Sequence, residues 1–361
     1  MKIGILTLPL HTNYGGILQA YALQAYLKGR GHDAWIIDIS RRQSYCIKII
    51  RQIIRSAIKP SVVDLNKGIS SFIDKHIDPR TRYINIGNRI FELEKYGFEA
   101  YVVGSDQVWR EEYCREWKKR FFLDFVNEKS IKRIAYAASF GIDTWTYDEK
   151  LTLELSILAK KFDLVSVRED SAIELCKDKL GIDSIKLLDP TMLLRVSDYE
   201  HLIPQHDNRL MPHQLMTYIL DDSPEKQIII EKISGKLSYK HFPINIDSQY
   251  KFSFLTFQKY TSVVGWLKAF SDAKYIVTDS FHGCVFSIIF NKPFIAIGNS
   301  ERGLTRFNSL LKMFGLENRL IENYSDISDA LIYSKIDWCN INKLIAIYRS
   351  EVDAFFQKIE L

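Results

Sequence analysis

The stretch TDSFHGCVFSIIFNKPFIAIGN, residues 278–299, sets His282 between the end of a β-rich run and the start of an apolar helix. The positive end of a helix disfavours imidazolium, but the unpaired N–H groups there suit an anion. A histidine sharing that place with a bound anion could move protons near neutral pH. Ser280 and Gly283 flank it, and Asp279 or Ser280 is expected to cap the helix. The plain structural alternative is a satisfied polar residue at a helix start. Cys284 lies in the packed helix and reads as an inert core thiol. Three other strand ends carry polar residues: Arg168 in DLVSVRED, Gly104-Ser105-Asp106 in VVGSDQVW, and HTNYGG at 11–16, with His11 and Asn13. Arginine offers a planar fork to carboxylate or phosphate, or it pairs with Glu169, Asp170 or another acid. A strand-end carboxylate such as Asp106 serves as a general base, a sugar-hydroxyl acceptor or a helix cap. HTNYGG matches neither G-x-G-x-x-G nor the P-loop pattern, and its glycines read as a tight turn.

These residues need strands that end together. KIGILTL, AWIIDI, AYVVGS, RIAYAASF, LVSVR and IKLLDP read as strands, with helical patterns between them in ILQAYALQAYLKGRGH, EKLTLELSILAKKF and DSAIELCKDKLG. A polar stretch at 197–214 reads as a linker. The rhythm then restarts: LMTYIL, KHFPIN, KYIVTD and PFIAIG as strands, SPEKQIIIEKISGKL, SVVGWLKAFSDA and HGCVFSIIFN as helices. The fold class expected is α/β, two Rossmann-like parallel-sheet domains over 1–200 and 210–361 facing a cleft. The last helix is expected to pack back on the N-terminal domain.

At 361 residues the chain is long for one core, and a net charge of +5 fits an anionic small molecule or a membrane surface as well as nucleic acid. Without a basic run interleaved with aromatics, nucleic acid is not an expected partner. Cys46, Cys114, Cys176, Cys284 and Cys339 are scattered and never spaced C-x-x-C, which speaks for a reducing cytoplasm and against a zinc site. The N-terminus is not expected to be a signal peptide, and no stretch approaches 18 uncharged apolar residues. Residues 45–58 place Lys48, Arg51 and Arg55 beside isoleucines. That pattern fits an anionic membrane surface, though a docked helix with a solvated basic edge is the commoner origin of such a pattern.

Taken in order, TNYGGILQAYALQ, VVGSDQVW, AYAASFG, SVREDSAIEL, LLDPTMLL and VTDSFHGCVFSIIFNKPFIAIGN make the chain resemble polysaccharide pyruvyl transferases over nearly its whole length. The resemblance implies a GT-B-like two-domain protein that moves the enolpyruvyl group of phosphoenolpyruvate, as a ketal, onto a sugar of a surface or capsular glycan. It implies phosphoenolpyruvate as donor substrate, no cofactor or metal, and a sugar acceptor carried on a lipid-linked oligosaccharide. It places the enzyme in the cytoplasm, with peripheral contact at the inner face of the membrane. It implies His282 and Asp106 as catalytic residues, with Arg168, Arg302, Ser280 and Gly283 binding the donor. Asn13, Tyr14, Gly15, Gly16 and Ser105 are implied at the acceptor. Relatives carry a lysine about twenty positions after the histidine, where this chain has Arg302; Lys292 is the nearby alternative. Two other readings stay open here: a nucleotide-sugar glycosyltransferase and a non-catalytic glycan-binding protein.

Overall fold

A computed structural model describes residues 1–11, 13–39, 62–204, 214–244, 262–298 and 303–360. The described residues within 1–48, 73–193 and 345–361 form one compact unit, and those within 49–72 and 194–344 another.

The first unit is built on a six-stranded parallel sheet. Its strands are β1 (Lys2–Leu6), β2 (Asp33–Ile36), β3 (Ala100–Val103), β4 (Lys132–Ala138), β5 (Leu164–Val167) and β6 (Ile185–Lys186), in the order β2-β1-β3-β4-β5-β6. The central strands β3 and β4 are apolar runs buried almost throughout, as parallel strands covered on both faces must be. From β1 the chain steps outward to β2, then crosses to β3 on the other side. That reversal opens a crevice beyond the carboxyl ends of β1 and β3. The helix Tyr14–Gly29 starts there. Its Gly15 and Gly16 lie in the first helical turn, not in the tight turn that the HTNYGG pattern suggests. The cause is local: Asn13 caps the helix by accepting a bond from the Gly16 N–H. The end of the helix Trp338–Gln357 belongs to this unit, with Phe356 stacked on Tyr136 at 5.2 Å. Asp353 accepts bonds from the Tyr26 hydroxyl at 2.5 Å and Arg30 at 2.7 Å.

The second unit carries a five-stranded parallel sheet of β7 (Leu215–Tyr218), β8 (His241–Pro243), β9 (Tyr275–Thr278), β10 (Phe294–Ile297) and β11 (Leu320–Ile321), ordered β11-β10-β9-β7-β8. Here the reversal falls between β7 and β9. The helix Pro224–Leu237 buries Ile229, Ile230 and Ile233 against the sheet, capped by Ser223 with proline in its first turn. Trp266 packs Phe270 at 4.4 Å and Phe286 at 4.9 Å. Residues 197–200, read from their polarity as the start of a linker, belong to the helix Val196–Glu200 of this unit. One aromatic outweighs the polar neighbours: Tyr199 is fully buried, its ring 5.1 Å from Phe286. The basic stretch at 45–58, most of the remaining linker and Arg302 lie outside the described residues. No helix among the described residues is long and apolar enough to cross a membrane.

Candidate functional site

In the first unit the polar residues gather at the carboxyl ends of β1, β3, β4 and β5. Gly104 leaves β3 at φ 116°, and a Cβ there would lie 2.3 Å from the Tyr136 carbonyl oxygen, so only glycine passes this point. The loop that follows is tied from both sides. Thr7 Oγ1 donates to the Ser105 carbonyl at 3.0 Å, and Gln19 Oε1 accepts the Ser105 N–H at 3.0 Å. Gln19 Nε2 in turn donates to Thr7 Oγ1 and the Gly16 carbonyl, both at 2.9 Å. The result is that Asp106, itself at φ 73°, presents its carboxylate to the start of the Tyr14–Gly29 helix. A Cβ on Gly16 would sit 3.3 Å from Asp106 Oδ2. The partial positive charge of that helix end favours a carboxylate.

Arg168 follows β5, as its sequence position predicts, and within the chain its guanidinium meets acids of two other loops. Its side chain is 2% exposed. Nη1 donates to Asp189 Oδ2 at 2.8 Å, and Nη2 stands 3.5 Å from Asp106 Oδ1. Burial alone would lower the guanidinium pKa; Asp189, Asp106 and Glu169 outweigh it and raise it. The guanidinium is thus already committed to acids of two other loops. Glu169 serves a different purpose, since its Oε1 accepts from Ser139 Oγ, Phe140 N and Gly141 N at 2.8–3.0 Å and fixes the exit of β4.

The residues expected to meet the acceptor divide. Gly15 and Gly16 lie in the first helical turn, Gly16 beside Asp106, and Asn13 is exposed but spends its side-chain oxygen on the cap. Tyr14 is buried, which pushes its hydroxyl pKa up. Ser105 is fully buried and its hydroxyl donates to the Ala137 carbonyl at 2.6 Å, so it supports the loop.

In the second unit, β9 runs into Asp279, Ser280 and the buried helix Phe281–Ile289. Ser280 caps the helix, accepting from the Gly283 N–H at 3.3 Å. Asp279 belongs to the neighbouring loop: it accepts from Leu220 N, Asp221 N and Lys226 Nζ at 2.6–3.1 Å. His282 therefore stands in the first turn of this helix, at the reversal of the second sheet, and is only 6% exposed. Its ring meets Phe281 edge to face at 5.3 Å. Phe281 also meets a cation that the sequence motifs did not single out, Arg306, buried, with its guanidinium 5.6 Å from the ring centroid. Lys292 is turned to the Ser271 carbonyl at 2.6 Å, and burial lowers its pKa. It serves the helix-to-strand turn. Cys284 is fully buried and its thiol pKa is raised by burial, as a core thiol's should be.

The sequence motifs gave no sign of Asp189, Gln19 or Arg306 as parts of these clusters. For Asp189 the signal available was the Asp-Pro pair just past a strand end, a cap pattern of many loops.

The family model described as polysaccharide pyruvyl transferase matches residues 13–301. No curated protein matches the chain in sequence. Among solved structures, UDP-GlcNAc 2-epimerase from Methanocaldococcus jannaschii is similar with a TM-score of 0.55 and 13% identity, over 98% of this chain and 100% of that one. The same enzyme in complex with UDP-GlcNAc and UDP gives 0.52 and 12% identity, over 96% and 99%. At such identity the likeness is one of fold: two parallel-sheet α/β units of the GT-B-like class.

Proposed function

The chain belongs to the polysaccharide pyruvyl transferase family, and on that premise we propose that it transfers the enolpyruvyl group of phosphoenolpyruvate to a sugar of a surface or capsular polysaccharide precursor. The observation that supports this most is His282 in the first turn of a buried, serine-capped helix at the sheet reversal of the second unit. The N–H groups of that turn suit the donor's carboxylate or phosphate. The chemistry needs a proton at the enol methylene, which turns it into a methyl group and leaves C2 electron-poor. His282 delivers that proton. A sugar hydroxyl then bonds to C2 and gives its proton to Asp106. The C2–O bond to phosphate breaks, a second hydroxyl takes the vacated bond, and its proton leaves with the phosphate. The products are a pyruvate ketal and inorganic phosphate, with no change of oxidation state.

The test is incubation with phosphoenolpyruvate and a panel of glycosides, free and lipid-linked, following phosphate release and the mass of a pyruvate ketal. Phosphate release that depends on one acceptor class supports the reading. Consumption of a UDP- or GDP-sugar by the same panel, with phosphoenolpyruvate untouched, overturns it in favour of glycosyl transfer.

A further inference from the structure

We propose that Asp189 and Thr191 are positioning residues for Asp106, acting through Arg168, and that this corner of the first unit serves the uncharged acceptor and not the anionic donor. The proposal rests on Asp106 being the group that takes the acceptor hydroxyl proton.

The chain of contacts is continuous. Asp189 lies past β6, and its Oδ1 accepts both the backbone N–H of Thr191 at 3.0 Å and its hydroxyl at 2.7 Å. Those two bonds fix the plane of the Asp189 carboxylate, leaving Oδ2 for Arg168 at 2.8 Å. A guanidinium is planar, so pinning one nitrogen sets where the other points. That other nitrogen is the one at Asp106 Oδ1. The side chains of Arg168, Asp189 and Asp106 are 2%, 1% and 6% exposed, so solvent and salt screen them little. Asp106 thus turns Oδ1 to Arg168 from β5 and Oδ2 to the first turn of the Tyr14–Gly29 helix.

The formal charges then decide what can approach. One guanidinium is met by Asp189 and Asp106, with Glu169 close enough to act on it as well. These four described side chains carry more acid than base. A ligand bearing both a carboxylate and a phosphate is repelled from them, whereas a polyol is not and finds a carboxylate ready to accept its proton.

The experiment is a double-mutant cycle on the full chain, with phosphate release as the assay and circular dichroism confirming the fold. Asp189→Asn and Thr191→Val are each measured alone and combined with Asp106→Asn. Thr191→Val removes the hydroxyl bond to Asp189 and keeps the backbone one, and carries the test should Asp189→Asn fail to fold. Alone, Thr191→Val is expected to lower kcat about five-fold and Asp189→Asn more than ten-fold, with KM for phosphoenolpyruvate within two-fold of wild type. In the Asp106→Asn background neither is expected to lower kcat further. Equal losses in both backgrounds would make the residues merely structural and sink the proposal, as would a roughly ten-fold rise in the donor's KM. Near-normal turnover by Asp106→Asn alone would instead show that the base was misassigned, and the proposal would fall with it.

Discussion

Gly283→Ala places a Cβ 2.1 Å from Thr278 Oγ1 and 2.9 Å from both Thr278 Cβ and Cγ2. Thr278 is the last residue of β9 and cannot retreat. Its Oγ1 donates to the Tyr218 carbonyl at 2.7 Å and accepts the Ser280 N–H at 3.1 Å, tying β9 to β7 and setting the helix cap that carries His282. The added methyl group either overpacks the junction, which costs about 1–3 kcal/mol, or turns the threonine away and breaks both bonds at about 1 kcal/mol each. Against this stands up to about 1 kcal/mol from alanine's better helix propensity. The net expectation is a loss of about 1–2 kcal/mol, a fall of roughly 2–8 °C in the midpoint of the unit that holds it. Turnover should fall with it, because the first helical turn moves. Differential scanning calorimetry measures the first effect and phosphate release the second. Thr278→Ala removes two of the three obstructing atoms, Oγ1 and Cγ2, so the double variant should lose less than the two single losses combined. A Gly283→Ala protein that melts within 1 °C of wild type would refute the reasoning.

His282→Ala is expected to lower kcat by roughly two to four orders of magnitude while the calorimetric Kd for phosphoenolpyruvate changes less than ten-fold, since the helix N-terminus remains. Arg306→Met, which keeps the packing over Phe281 and removes the charge, should raise the donor's KM by roughly ten-fold or more and leave the acceptor's unchanged, measured by phosphate release. Burial pushes the Cys114 and Cys176 thiols up to about 12, so neither forms thiolate at pH 8. Alkylation followed by peptide mass mapping should therefore label exposed Cys339 in the native protein, and Cys114, Cys176 and Cys284 only after denaturant.

What the sequence made legible is what local pattern determines. KIGIL, AYVV and YIVT are strands because parallel sheets covered on both faces demand unbroken apolar runs. His282 reads as a helix-start residue because Ser280 can cap and Gly283 is small. The features that escaped depend on partners far along the chain. β11 is two residues long and is a strand only because Ile321 pairs with Ile297. Tyr199 sits in a polar stretch, and only Phe286, far downstream, makes it core. The Arg168–Asp189–Asp106 contacts follow from strand order, which no single window of sequence contains. Gly15 and Gly16 looked like a turn because glycine is ambiguous there; the Asn13 cap decided for helix.

That strand order also explains why position 168 holds arginine. Asp106 leaves β3 and Arg168 leaves β5, with β4 between them, so the two lie about 10 Å apart along the sheet at the usual strand spacing. β4 ends in Ala137 and Ala138 and is followed by Ser139, small residues that leave its exit open for a long side chain to cross. On the far side, Asp189 leaves β6. A group at the end of β5 must therefore reach across one strand to Asp106 while holding Asp189 in the opposite direction. A guanidinium has donors on separate nitrogens and can do both; an ammonium is a point and must choose. Arg168→Lys should keep the shorter contact, to Asp189, and abandon Asp106. Stability should fall by about 1–3 kcal/mol, the scale of one charge-assisted bond, and less than for Arg168→Ala, which leaves the buried acids without a cation. Turnover should fall about as far as in Asp189→Asn, because both changes strip Asp106 of the same neighbour. Urea melts and phosphate release on the two arginine variants separate these effects. A lysine variant with wild-type turnover would mean that Asp106 needs no fork, and that strand order had placed these charges together for stability alone.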